Sequence, residues 1–308
     1  MKSVFKNILF ALLFFAINTS VLIAQNKYPG EINFRMGLMV YAFDEVNFSD
    51  GNAALQMWME STKKSLLKKG VKKVDVVYRS YEDLSKLEED VTNNHIDLFS
   101  VKSIDFFRMK RVNEYIPFFA GTRSVKSKFE NFIIVTNKKS GYKNLSDIVS
   151  GEITTAKTVY EELSTIWAEV AIKEASGNKL KKAINFESTI ISESNLLLGV
   201  FFGKYKCAVV SQSVYDVVCE LNPRVKSDIT ILATSGNLIN NFFARKKDIP
   251  SSTIEILDIY ATDLNEDGDG RQILSLFKVN RVEKIYKNDI EETRKIIQKH
   301  KSFFKSKF

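Results

Sequence analysis

Apolar runs of strand length alternate with longer stretches of helical period along nearly the whole chain. Ile32–Val40 reads as a strand, and after a loop over Tyr41–Asp50 a helical pattern runs through Lys69. Val74–Tyr78 is the next strand. Ser80 then precedes a helix with Asp83 three residues on, a spacing that predicts a variant of the capping box. Asp97–Val101 reads as a strand and Ser103–Glu114 as a helix. Further strands are predicted at Phe132–Thr136, Ile153–Ala156, Ile184–Phe186 and Ala208–Val210, each followed by a helical or turn-rich segment. Strands alternating with helices imply parallel pairing and an α/β fold.

The pattern breaks twice. A polar, basic segment near Gly121–Lys128 separates the first strand–helix units from the next. Near Ile229–Ser235 the strand Ile229–Ala233 leads into another at Asn241–Ala244, and after Pro250 the chain reads as nearly all helical. One architecture accounts for both breaks. The chain leaves a first lobe, builds a second and returns to complete the first. The expected division is 25–121 and 235–308 for lobe one and 122–234 for lobe two, each a mainly parallel sheet flanked by helices. No internal repeat or low-complexity linker interrupts it.

The amino terminus adds a compartment. Lys2 and Lys6 precede an apolar run that starts at Ile8, is broken at Asn18–Ser20 and ends near Ala24. This predicts a signal peptide over residues 1–24, cleaved near Ala24, and a periplasmic or otherwise exported protein. The break leaves the run short of the roughly 20 apolar residues that a spanning helix needs. No Cys follows it, which argues against a lipoprotein. The formal charge of +8 is spread over clusters at Lys63–Lys73, Lys179–Lys182 and Lys299–Lys307. These lack interleaved aromatics, so solvated helix faces explain them better than nucleic acid does. Cys207 and Cys219 could pair in an oxidising compartment, but packed strand and helix backbones lie too far apart for most disulfides. Two buried free thiols are expected.

Catalytic constellations are thin. The two histidines, His95 and His300, have no nucleophile beside them, and no HExxH, CxxC, Walker A, GxGxxG or GxSxG pattern occurs. No enzyme and no cofactor is expected. Asp263–Gly268 matches the first half of a calcium loop, but Leu274 stands where the bidentate Glu belongs. The simpler reading is that Asp267–Gly270 ends one helix and caps the next, with glycines taking positive φ.

Open α/β sheets bind ligands outside the carboxyl ends of their strands. Helix N-termini there offer free N–H groups and partial positive charge. Hydroxyl-bearing residues recur at such junctions in both lobes: Tyr41, Ser100 and Ser103, then Ser164–Thr165 opening a helix, and Ser211. With Tyr160 these are the expected ligand-binding residues, the serines and threonine as hydrogen-bond donors and the tyrosines as aromatic walls.

Several ordered motifs carry a resemblance. They are Ile96–Ser100, Phe132–Thr136 with Asn144–Ile148, Phe202–Ser211 with Val214–Asp216, Asn222–Pro223, Ile229–Ser235 and Gly270–Leu274. From Ile32 to Lys299 the chain resembles the phosphate/phosphite/phosphonate substrate-binding family of ABC transporters, within the type II periplasmic binding protein fold. The resemblance implies a solute-binding protein that closes about a hinge on a small, polar or anionic ligand and delivers it to an ABC permease. A ligand sensor of the same fold, reporting to a membrane sensor kinase, is the alternative. The family's Ser-Thr-Ser-Gly loop is matched only by Ser164–Trp167, its Ser-His pair by Ser192–Glu193, and its Asp after the apolar strand by Ser211. An acidic partner for a ligand ammonium is therefore expected to be missing.

Overall fold

Strand β1, Glu31–Met39, has its last four residues buried, and Ile32 and Phe34 buried before them. A strand covered on both faces belongs inside a sheet. The computed structural model, which describes residues 30–39, 48–122, 127–150, 153–158, 161–177, 186–277 and 279–304, places it there. The first sheet runs in the order β11 (Arg281–Lys284), β4 (Tyr115–Thr122), β10 (Asn241–Lys246), β3 (Leu98–Lys102), β1, β2 (Lys73–Tyr81). The second runs β7 (Phe186–Thr189), β6 (Ile153–Ala156), β8 (Cys207–Ser211), β5 (Phe132–Asn137), β9 (Ile229–Thr234).

Each sheet is mixed, where parallel pairing was expected to dominate. β2, β1 and β3 are parallel, as are β7, β6 and β8. β5 and β10 are antiparallel to both their neighbours. These two strands follow the chain's passages between the sheets. They enter from the gap and run away from it, whereas strands such as β1 and β3 run towards it.

Both sheets are covered on both faces. Helices α1 (Phe48–Lys68), α8 (Ser251–Glu266) and α9 (Gly268–Leu276) pack Leu66, Ile256, Leu264 and Leu274 against Phe34 and Met36. On the other face α2 (Leu84–Thr92) and α3 (Ser103–Arg108) bring Leu87 and Phe106 to Phe99 and Val101. In the second sheet Phe132 and Ile134 join Val209 on one face, while Ile133 and Val135 join Val210 on the other. The first of these faces is covered by α4 (Glu161–Ser176) and α10 (Glu291–Phe304). The second is covered by α5 (Glu193–Phe201), α6 (Gln212–Leu221) and α7 (Pro223–Asp228). Each such aliphatic or aromatic side chain contributes roughly 1.5–3 kcal/mol on burial.

Two strands were not expected. β4 contains Pro117 and Gly121, both of which weaken a strand pattern. Pro117 is tolerated because the β4–β10 register shifts beside its partner Ala244, where the ladder is already interrupted. β11 is only four residues long and sits at the sheet edge. The expected helix over Ser103–Glu114 is correspondingly shorter. It ends at Arg108, Met109 turns extended, and a single 3₁₀ turn at Val112–Glu114 leads into β4. Asp83, not Ser80, caps α2, accepting the Ser85 N–H at 2.9 Å, since Ser80 is still in β2.

The calcium-like segment is helix. Asp263 and Asn265 lie in α8; Asp263 pairs with Lys69, and Asn265 exchanges two 2.8 Å hydrogen bonds with the Val282 backbone. The two glycines after it, Gly268 and Gly270, do not serve the purpose expected, and a Cβ on Gly268 would meet open space. Neither has positive φ, but a Cβ on Gly270 would lie 2.6 Å from Leu264 Cα and 2.7 Å from its carbonyl oxygen. Backbone cannot rotate aside, so Gly270→Ala is expected to cost about 1–3 kcal/mol by overpacking. A urea melt in which it matches the parent would remove close approach as the reason for this glycine. Both cysteines are free. Burial pushes the Cys207 thiol up to about 12, and Cys219 is half-buried rather than buried as expected. No described helix is long and apolar enough to cross a membrane, and the expected signal peptide lies outside the described residues.

Candidate functional site

The carboxyl ends of β1 and β3 in the first sheet, and of β6, β7 and β8 in the second, are where the two sheets present helix starts. The chain passes between the sheets twice, from β4 to β5 and from β9 to β10. The two passages are held side by side: Glu130 N–H donates to the Leu238 carbonyl at 2.7 Å, and Leu238 N–H returns the bond at 3.0 Å. Asn131 Nδ2 donates to the Gly236 carbonyl at 3.0 Å, and Ser235 Oγ accepts the Phe132 N–H at 2.8 Å. α10 braces the same place, where Thr293 Oγ1 accepts the Ile239 N–H at 2.9 Å.

Ser100 is buried in β3, and its Oγ accepts the Met39 N–H at 3.0 Å, beyond the point where the β1–β3 ladder stops. Ser103 is fully buried at the start of α3. Its hydroxyl donates to the backbone carbonyls of Ile239 and Asn240. A hydroxyl owns one proton, so Ser103 ties α3 to the returning passage and holds no donor in reserve.

Ser164 and Thr165 do not open a helix. α4 begins at Glu161, and Glu161 and Glu162 occupy its first turn, where carboxylates suit the helix dipole. Ser164 lies one turn in, buried, its Oγ bonded to the Glu161 carbonyl at 3.0 Å, the usual fate of a mid-helix serine. Thr165 is half-buried beside it. Tyr41 and Tyr160 lie outside the described residues.

Ser211 ends β8 and caps α6, but its side chain makes no cap bond. Its N–H donates at 2.9 Å to Oε2 of Glu193, and its hydroxyl donates to the same oxygen. Glu193 is the first residue of α5, after the cap Ser192, whose Oγ accepts the Asn195 N–H. One carboxylate thus serves the starts of two helices. Residue 211 supplies no carboxylate, as its identity implied, but residue 193 brings one to the same strand end.

An ion pair joins the two sides. Arg108 of α3 lies 2.9 Å from Glu162 in the first turn of α4. Ile104 and Phe107 from the same α3 pack into the second sheet's core. Sequence reasoning missed this contact because its partners lie 54 positions apart and α3 was drawn too long. Among the described residues no group of three His, Cys, Asp or Glu could hold a metal ion. A groove of about 800 Å³ opens between β4, α3 and α10, with Phe107, Ile116, Ile290 and Arg294 in its wall. It contains none of the expected site residues.

The fold recurs among solved structures. XAC2383 from Xanthomonas citri, bound to ATP, matches with a TM-score of 0.57 at 9% identity, covering 89% of this chain and 98% of that one. PhnD1 from Prochlorococcus marinus, in complex with methylphosphonate, matches at 0.50 and 14% identity, covering 88% and 98%. Transferrin 1 from Manduca sexta matches at 0.55 and 14% identity, with 87% of this chain and 47% of that one. At such identities the likeness shows a shared two-lobed fold, and a shared fold is no statement about ligands. No curated protein matches the chain.

The sequence profile of one family does match, over residues 49–290, with the description "ABC transporter, phosphonate, periplasmic substrate-binding protein". That family binds solutes and catalyses nothing, works with ABC permeases and implies export; the sensor-kinase alternative gains no support from it. The match spans most of the chain, and the protein belongs to the periplasmic substrate-binding family of phosphonate ABC transporters.

Proposed function

We propose that the protein captures a small polar ligand between the carboxyl edges of its two sheets and delivers it to an ABC permease. The observation that carries this reading is the pair of passages. They lie side by side, joined by two backbone hydrogen bonds, with helix starts from both sheets beyond them. Such a joint allows rotation of one lobe on the other, so a ligand touching both would shift the population towards the closed form.

The proposed lobes are 25–121 with 235–290, and 122–234 with 291–308. This moves α10 from the first lobe to the second, because Ile296 and Ile297 pack with Phe132 and Trp167, and Lys299 pairs with Glu174 of α4 at 2.6 Å. Tyr41, Tyr160 and Thr165 remain proposed ligand contacts, while Ser100, Ser103, Ser164 and Ser211 shape the walls through the internal bonds described above. Of the two ligand descriptions the sequence left open, polar or anionic, the carboxylates of Glu161, Glu162 and Glu193 at the helix starts favour polar.

Native mass spectrometry of the protein purified from its own envelope should find a retained small molecule. Small-angle X-ray scattering should find the loaded protein more compact than the same protein after unfolding, dialysis and refolding. Identical scattering curves with no retained mass would sink the binding-protein reading.

A further inference from the structure

Most helix N-termini at a strand's carboxyl end are available to an anion, because their first N–H groups have no partner within the helix. The start of α6 differs. The Ser211 N–H and hydroxyl both point to Oε2 of Glu193, so a carboxylate of the chain itself occupies the place an anionic ligand would take. The ordinary role for a serine here, capping its own helix, is ruled out by the absence of any side-chain bond from Ser211 into α6. Ser211 is buried and Glu193 half-buried, so the carboxylate is held by the fold while still facing outward in part.

The neighbouring charges do not undo this. At the start of α4, Glu162 is paired with Arg108, and Glu161 adds a second carboxylate beside it. Lys157, exposed at the end of β6, uses its backbone N–H on the Thr189 carbonyl and has no described ion-pair partner.

We infer that Glu193 is a specificity-determining residue that bars dianionic groups from the end of β8, so the ligand presents a neutral or cationic hydrogen-bond donor there. This rests on the inter-lobe cleft proposed above and narrows what it takes. A phosphonate or phosphate at the start of α6 would meet a like charge in contact, and repulsion at that range outweighs the donors still free.

The test is a calorimetric titration of methylphosphonate and of inorganic phosphate into the parent, Glu193→Gln and Ser211→Ala. Glutamine keeps the size and an acceptor for Ser211 while removing the charge. The parent is expected to bind neither probe at about millimolar concentration. Glu193→Gln should gain affinity for both by about a hundredfold, the scale of one removed contact charge. Ser211→Ala breaks one hydrogen bond but keeps the carboxylate, so it should gain nothing, whereas a merely structural bond would affect both variants alike. Tight binding by the parent overturns the assignment. So does continued absence of binding in Glu193→Gln, because the anion would then be barred elsewhere. Compaction of the parent on its own retained ligand is independent of this titration, so the two readings fail separately.

Discussion

His300→Ala is expected to lower the stability of the protein by about 3–5 kcal/mol, the usual cost of leaving a buried carboxylate without its hydrogen-bonded partner. His300 on α10 meets Oε2 of Glu169 on α4 through Nε2, and the side chains are only 9% and 8% exposed. The histidine ring also packs against Phe304, with centroids 5.0 Å apart. Alanine removes the imidazole and leaves the Glu169 carboxylate where water barely reaches it. Replacing both residues by leucine should cost far less or nothing, since the charge and its desolvation disappear together. Urea unfolding followed by tryptophan fluorescence reads the difference, because Trp167 sits in the core that α10 covers. A single-variant loss below about 1 kcal/mol, within the range of an exposed pair, would mean that the pair does not secure α10 to the second sheet.

That tie bears on how the chain can move. α10 follows β11 of the first sheet yet packs on the second, so it is a third passage between the lobes. Thr293 places it against the returning passage, and Lys128 reaches Asp289 at 2.7 Å just before it begins. The closure proposed about the two inner passages would therefore have to bend the segment Ile285–Ile290 as well.

Much of the architecture was legible because the strands between two helix layers are apolar on both faces, as at Phe132–Val135 and Ala208–Val210. What escaped had a local reason. Pro117 and Gly121 disguise β4, and its place depends on a register shift in β10 that no local pattern records. The first turn of α4 was misplaced because Ser164 and Thr165 attracted the cap assignment, although Glu161 and Glu162 just upstream are what a helix start favours. The candidate site was the least legible part. Residues 193 and 211 each depart from the family's pattern, and taken one at a time both look like losses. Only the sheet shows that the ends of β7 and β8 bring them together, so that a carboxylate lost from one position is supplied from the other.

Phe132→Ala is the second large effect expected, a loss of about 3–5 kcal/mol. Phe132 is fully buried at the first position of β5, and its ring lies 6.4 Å from that of Trp167. Truncation leaves a cavity that its neighbours, a sheet on one side and α4 on the other, can close only in part. The site makes the loss more than a packing effect. Phe132 is the register partner of Ser211, and its backbone N–H and carbonyl both bond Ser235 at 2.8 Å. It therefore anchors the joint between the passages to the strand end that holds Glu193. Against a typical total stability of about 5–15 kcal/mol, the variant should unfold at much lower urea. Its hydrogen exchange should quicken first at the Ser211 and Ser235 amides. Phe132→Leu, which keeps most of the volume, should fall between the parent and alanine. If alanine instead costs less than about 1 kcal/mol and leaves those two amides protected, the second core has collapsed into the space. The joint would then draw its rigidity from α10 and the backbone bonds alone.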